Sequence, residues 1–250
     1  MELRDDTRPL TARSIVASTL LGVRPSRLPA RALVASGRLF GIAEGTVRTA
    51  LSRMVAAGEL TTDDGHYELA GPFLLRRERQ DESRAGATRS WTGDWELAVV
   101  DAERRVAADR TALRQAMRQL RRAELREGVW LRPDNLDPDR LPEARAVVGA
   151  QCTTMVARPE PELAARLWDL EAWSSRAERL AVDLAADRFE DLADSFVRSA
   201  TVLRHLQTDP LLPAELLPPG WAGPRLREVY EGYDAAFKEA WSSASRRAVA

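Results

Sequence analysis

Along the first seventy residues, apolar positions recur at helical spacing in three short runs and then change to strand-like alternation across a tight turn. Ile15, Val16, Thr19 and Leu20 share one side of a helix predicted over Thr11–Leu21, which Gly22 ends. Pro29 is placed to open a second helix, Ala30–Leu39, with Leu33, Val34 and Leu39 inward, because a proline in the first turn forfeits no internal hydrogen bond. Phe40-Gly41-Ile42 supplies a tight turn with Ile42 as its buried plug. In the third run Val47, Leu51, Met54 and Val55 form one apolar stripe, and Gly58 stops the helix as a C-terminal cap. Asp64-Gly65 then sits between ELTTD and HYEL, the dipeptide a two-residue hairpin requires. Ala43 stands where Ser, Thr or Asp would cap the third helix, an omission that costs roughly 0.5–2 kcal/mol.

Helix, helix, turn, helix, hairpin is the order of a winged helix-turn-helix. Gly45, Thr46, Thr49, Ser52 and Arg53 point away from the apolar stripe, with Arg48 on the shoulder. Such a face is small, hydroxylated and cationic, which suits close approach to a major groove, phosphate bonding and guanine reading. Any amphipathic helix has a polar outer face, so the face alone decides little; the order of elements carries the reading. His66, beside the Asp64-Gly65 turn, is placed at a hairpin tip within reach of phosphate or the minor groove.

The pattern changes beyond the hairpin. Phe73–Arg89 is polar and charge-rich and is read as a connector, helical at first. Trp95–Asp101 is a strand by composition, Asp109–Arg122 a helix with Leu113, Met117 and Leu120 inward, and Gly128–Pro133 a strand ended by proline. Pro138–Val148 forms a short helix and Cys152–Ala157 a last strand in which Cys152, Thr154 and Val156 share one face; a further strand is expected near Ala123–Arg126. This alternation predicts a ferredoxin-like sandwich. The remainder is helical, over Leu163–Ala185, Phe189–Leu206 and Pro224–Trp241, interrupted by the proline-rich turn Asp209–Trp221. The expected fold class is α+β. Its parts are a winged helix-turn-helix at 1–75, a connector at 76–92, a central ferredoxin-like α/β sandwich at 93–159 and a C-terminal helical domain at 160–250.

Charge sharpens the picture. Lys and Arg number 37 and Asp and Glu 38 over 250 residues, yet residues 1–60 hold nine Arg against five acidic side chains. A basic head on an acidic body suits local phosphate contact. Lys238 is the sole lysine, a bias matching a GC-rich bacterial genome. A single cysteine, Cys152, excludes internal disulfides, and His66 and His205 lie too far apart in sequence to suggest a zinc pair, so neither metal nor cofactor is expected. The uncharged run Ser14–Val23 is too short for a membrane span and follows Asp5-Asp6, which points to a cytoplasmic protein without membrane association. G-x-x-x-x-G-K-[ST], G-x-S-x-G and H-E-x-x-H patterns are absent, and no catalytic set is assigned.

Three separated motifs resemble the PaaX family of bacterial transcriptional regulators. These are GTVRTALSRMVAAGEL in the head, WTGDWEL with LREGVWLRPDNL in the middle, and LWDL with DPLLPAELLPPGW in the tail. The resemblance covers most of the chain in the same order. It implies a winged helix, a central domain similar to the small CRISPR adaptation endonuclease, and a helical tail. It also implies repression of phenylacetate catabolism and release from DNA on binding an aryl-acyl-CoA. The run VDAERRVAADR departs from the family, which usually shows a hydrophobic-Pro-Glu turn there.

The function expected is therefore that of a homodimeric repressor of a catabolic operon, bound to double-stranded operator DNA and relieved by an acyl-CoA thioester such as phenylacetyl-CoA. One alternative is a DNA-binding regulator answering to a protein partner instead of a small effector. Another is a metal-dependent nuclease acting through Asp101, which ends the first central strand where the related nuclease fold holds a metal-binding aspartate; aspartates after strands also commonly just turn the chain. Trp168, Trp173 and Trp221 either line a ligand cavity or are core, and Arg198, Arg204 and His205 either meet an anion or are solvated and ion-paired.

Overall fold

The computed structural model of the chain describes residues 11–101, 106–160 and 162–247. Its contacts divide it into two compact units. One comprises residues up to Arg84, Ala181–Gln207 and Glu228 onward; the other comprises Ala85–Leu180 and Thr208–Arg227. Among the described residues no helix is long and apolar enough to cross a membrane.

The first unit opens with α1 (Ala12–Gly22), β1 (Arg27–Pro29), α2 (Ala30–Leu39), α3 (Glu44–Ala56), β2 (Leu60–Asp63), β3 (His66–Leu69) and α4 (Pro72–Ala85). Thr11 caps α1 through a reciprocal pair of bonds with Ser14. Val16, Leu20, Leu33, Val47, Leu51 and Met54, each 1% exposed or less, form one core shared by the three helices. Gly37 lets α2 and α3 meet: a Cβ there would stand 2.4 Å from Val47 Cγ2. The hairpin β2–β3 turns at Asp64 (φ 45°) and Gly65 (φ 68°), and β1 pairs antiparallel with β3, giving a three-stranded sheet in the order β1-β3-β2. The sequence gives no warning of β1, because three residues ending in Pro29 show no alternation.

Helix α4 begins the stretch expected as a connector, and it is fixed within the unit. Ser83 and Gln80 are buried, and Arg84 donates to the Glu231 carboxylate through two bonds of 2.8 Å and to Asp234 at 2.9 Å. The later elements of this unit come from the end of α8 (Leu170–Ala186), α9 (Leu192–Leu206) and most of α10 (Gly223–Arg247). They bring an aromatic cluster onto the end of α2. Phe40 meets Phe196 edge-on at 5.2 Å and Trp241 at 5.8 Å, and Phe237 joins both. Burial alone would raise the Asp187 carboxyl, but the Tyr233 hydroxyl at 2.6 Å and the Phe189 N–H bring it below the usual range.

The second unit holds β4 (Trp95–Val100), α5 (Ala107–Gln119), β5 (Ala123–Arg126), β6 (Val129–Pro133), α6 (Pro142–Gly149), β7 (Cys152–Ala157), α7 (Leu163–Leu167) and the first part of α8. Its sheet is antiparallel throughout, in the order β5-β6-β4-β7. Both faces are covered. Ala98, Trp130 and Cys152 pack on α5 and α6, while Trp95, Leu97 and Leu131 pack with Leu163, Leu170 and Leu212. Trp168 is not mid-helix as expected; it adopts extended backbone between α7 and α8 and sits 6.2 Å from Trp95. Trp173 stacks on Trp221 at 4.5 Å and donates to Thr208, so these rings pack as core.

A buried polar clamp joins two proline-bearing segments of this unit. Arg132, 2% exposed, donates to Asn135 Oδ1 (2.7 Å), to the Leu211 carbonyl (3.2 Å) and to the Pro133 carbonyl (2.9 Å). Asn135 Nδ2 also bonds Leu211 O, and Asp209 receives the Leu211 N–H and Arg227 at 2.8 Å each. LRPDN and DPLLP thus interlock through groups that are nearly all satisfied in the interior.

Candidate nucleic-acid interface

Helix α3 places the six expected residues together. Gly45, Thr46, Arg48, Thr49, Ser52 and Arg53 are all exposed, while Val47, Leu51 and Met54 are buried on the opposite side. As anticipated, Ala43 is the N-cap and supplies no side-chain bond. At the other end Gly58, φ 68°, closes the helix. Its N–H bonds Val55 O at 3.0 Å and the Glu59 N–H bonds Met54 O at 2.9 Å, so the last carbonyls are satisfied. Gly41, φ 69°, closes α2 in the same manner and delivers Ile42 to its place against the core.

The hydroxyls on this face are held close to the helix. Thr49 Oγ1 donates to Gly45 O at 2.8 Å and Ser52 Oγ to Arg48 O at 3.2 Å, which leaves their lone pairs outward as acceptors. Glu44, in the first turn, organises the cations. It accepts from Arg48 at 2.8 Å and from Arg38 of α2 at 2.9 Å, and the hydrogen bond with Arg48, followed by that with Arg38, holds its carboxyl below the ordinary range. The Glu44–Arg48 pair was legible as an i, i+4 spacing; Arg38 was not, since it arrives from the neighbouring helix. Arg53 forms no ion pair among the described residues and extends from the face unrestrained.

The β2–β3 hairpin differs from expectation at His66. The tip is Asp64-Gly65, and His66 is the first residue of β3, half-buried, with Nδ1 3.0 Å from Asp64 O. Register explains this: His66 lies opposite Asp63 on one side and Pro29 on the other, so the unforeseen strand β1 covers it. Arg27 of β1 reaches Asp63 at 3.0 Å. Arg31, exposed at the start of α2, stands beside the hairpin turn, since the preceding residue bonds Gly65 O. The exposed arginines of β1, α2 and α3 are therefore Arg27, Arg31, Arg38, Arg48 and Arg53, of which the sequence singles out two.

Asp101 is exposed at the end of β4, its N–H donated to Gln151 O. Among the described residues no three His, Cys, Asp or Glu side chains gather to hold a metal. The departure noted at VDAERRVAADR falls largely on residues 102–105, outside the described residues.

Three family models match the chain in succession. Residues 11–72 match the PaaX-like protein family, 88–162 the PaaX protein central Cas2-like domain, and 162–246 the PaaX-like protein C-terminal domain. The chain belongs to the PaaX family. Its members are transcriptional regulators. The solved structure of an uncharacterized protein, Rv0674 from Mycobacterium tuberculosis, is similar to this PaaX-like chain at 42% identity, with a TM-score of 0.75 over 94% of this chain and 99% of that one. No curated protein matches it.

Proposed function

We propose that this PaaX-like protein is a sequence-specific, double-stranded-DNA-binding repressor that acts as a homodimer in the bacterial cytoplasm. The observation that carries the reading is the outer face of α3. Six exposed small, hydroxylated or cationic residues stand on a helix that follows a glycine-closed turn and precedes a hairpin. In this reading residues 1–75 are a winged helix-turn-helix with α3 in the major groove, 93–159 a ferredoxin-like domain, and 160–250 the dimerisation and effector domain, with 76–92 joining head to body. Arg53 reads a base edge, Arg48, Thr46, Thr49 and Ser52 fix the register on phosphates, and Gly45 admits the backbone. His66 contributes at the base of the wing, not at its tip. One head reads too few base pairs to be selective; two-fold pairing doubles the contacts at a fixed half-site spacing of about 10–10.5 bp or its multiples.

Relief of repression is assigned to an acyl-CoA thioester, phenylacetyl-CoA first. An effector that prefers the non-binding arrangement by about 1–3 kcal/mol weakens the operator complex some 5- to 150-fold, and operator must weaken the effector equally. Selection of bound sequences from a random duplex library tests the DNA reading. The full chain is expected to enrich a two-fold symmetric site, and Arg53→Ala to lose about 1–3 kcal/mol on it. No enriched motif, or wild-type titration by Arg53→Ala and Thr49→Ala alike, overturns it. Calorimetry with phenylacetyl-CoA, with and without the selected site, tests the effector; an absence of coupling moves control to a protein partner and leaves DNA binding standing.

A further inference from the structure

The helix-covered face of the second unit's sheet is not closed along its edge. Thr154 and Val156 share the face of the buried Cys152 yet are exposed, and they border a cavity of about 390 Å³. That volume lies in the range of small-molecule sites. Leu120, Val148 and Met155 add aliphatic wall; the charged lining is Glu96, Arg122, Arg145 and Asp134.

The arginines carry more donors than the protein uses. Arg122, 7% exposed, gives Nη2 to Glu96 Oε2 at 3.0 Å, while Arg145 gives Nη1 to Glu96 Oε1 at 3.2 Å. Nε and Nη1 of Arg122 and Nε of Arg145 are buried and have no partner. Buried charged donors left unmatched are costly, so native sites match them with protein, water or a ligand. The remaining charges do not supply the match. Asp134 is bonded by Arg89, and Arg132, beside Glu96 on β6, has its fork turned onto carbonyls and Asn135. Desolvation by burial lowers Arg122, against the attraction of Glu96 and with the repulsion of Arg145.

The chain also accepts backbone strain to bring Arg122 here. α5 closes with Arg121 at φ 54°, a position that favours glycine, and the Arg122 N–H returns to Met117 O at 2.9 Å. Two arginines share a single carboxylate at the floor of an apolar-walled recess, with three donors in excess.

We propose that this recess binds a small organic oxyanion, a carboxylate or a phosphate ester on a compact apolar body, with Arg122 and Arg145 as its donors. Glu96 holds the two guanidinium groups in place and competes with the ligand for them. The site requires neither the DNA contact nor the thioester proposed above, and gel shifts read those separately.

Titration calorimetry of the full chain with benzoate, phenyl phosphate and inorganic phosphate, and with neutral benzamide as control, tests the site. At least one organic anion is expected to bind saturably while benzamide does not. Benzoate alone assigns a carboxylate site; phenyl phosphate with inorganic phosphate competing assigns a phosphate site. Arg145→Gln should weaken binding about tenfold or more, the loss of a charge-assisted bond. Glu96→Gln should tighten it, because the competing carboxylate is gone; a purely structural ion pair would not behave so. Arg122→Gln is informative only if it folds, and the other two variants decide without it. Absence of saturable anion binding, equal binding of benzamide, or an Arg145→Gln protein indistinguishable from wild type overturns the proposal.

Discussion

Replacing Arg132 by Met tests whether the buried clamp holds the second unit together. Met keeps the aliphatic stem and removes the fork. Two of the acceptors retain a partner, since the Pro133 carbonyl also receives the Asn135 N–H at 3.0 Å and Leu211 O the Asn135 side chain at 2.9 Å. The Pro210 carbonyl, 3.4 Å from Nη1, and Asn135 Oδ1, 2.7 Å from Nη2, lose theirs, and the Leu120 and Arg121 carbonyls lose longer bonds of 3.5 Å that add little. Each buried acceptor left empty costs about 1–3 kcal/mol, so the gross penalty is about 2–6 kcal/mol. Against this, a guanidinium with no carboxylate of its own no longer has to be desolvated, and burial with the nearby Arg140 and Arg121 already disfavours its charge. The net expectation is a loss of about 2–4 kcal/mol, which for a unit of this size lowers Tm by about 5–15 °C. Thermal unfolding followed by tryptophan fluorescence is suited to this, because Trp173 and Trp221 stack in the same unit. Asn135→Ala in single and double combination should show a coupling of about 1 kcal/mol or more. An Arg132→Met protein as stable as wild type would mean that desolvation cancels the bonds, and the clamp would then specify geometry without adding stability.

Gly37→Ala places a methyl group 2.4 Å from the buried Val47 Cγ2 and should destabilise the head by about 1–3 kcal/mol, with hydrogen exchange in α2 and α3 as the readout; an unchanged exchange rate would show that the two helices part freely. Glu44→Gln frees Arg38 and Arg48 for phosphate and should strengthen DNA binding at low salt, steepening the salt dependence of log K by about one unit; a constant slope places the N-terminus of α3 away from the duplex. For Glu96, burial raises the carboxyl but Arg122 and Arg145 outweigh it, and the folded group titrates below its unfolded value. Its contribution is thus complete above the unfolded value of about 4.3 and lost as the pH falls through the lower folded value. The stability difference between wild type and Glu96→Gln should be flat from pH 5 to 8 and shrink below pH 4, and a difference that changes across neutral pH would contradict this assignment.

How far the sequence reveals this molecule depends on whether the determinant is local. Ala30–Leu39 matches its observed bounds, and the α3 stripe and the Asp64-Gly65 turn follow from spacing and backbone preference within a few residues. The central strands and helices appear in the expected order for the same reason. β1 was missed because its partner strand lies some forty residues away and three residues carry no periodicity. That omission misplaced His66 at the tip. The break at Trp168 was hidden by apolar residues that suit either one long helix or two. Arg132, Asn135 and Asp209 could not be paired from sequence, since nothing in a charged residue announces that it will be buried. In sequence their motifs read only as proline punctuation. Glu96, Arg122 and Arg145 come from a strand, a helix end and a second helix, and only folding brings them within one recess.

The unit that carries α3 is built from segments far apart in sequence, with Phe40 resting on Phe196 and Trp241. On a translating ribosome moving at about 5–20 residues per second, roughly 10–40 s separate emergence of the first ring from that of the last. During that interval the helices around Val47 and Leu51 can pack, but the end of α2 carries an uncovered aromatic ring. A nascent or C-terminally truncated chain is therefore a head with an unfinished surface, prone to capture by chaperones or proteases. Completion of α10 becomes a length check: the unit acquires its full packing only once the chain has been translated past Trp241.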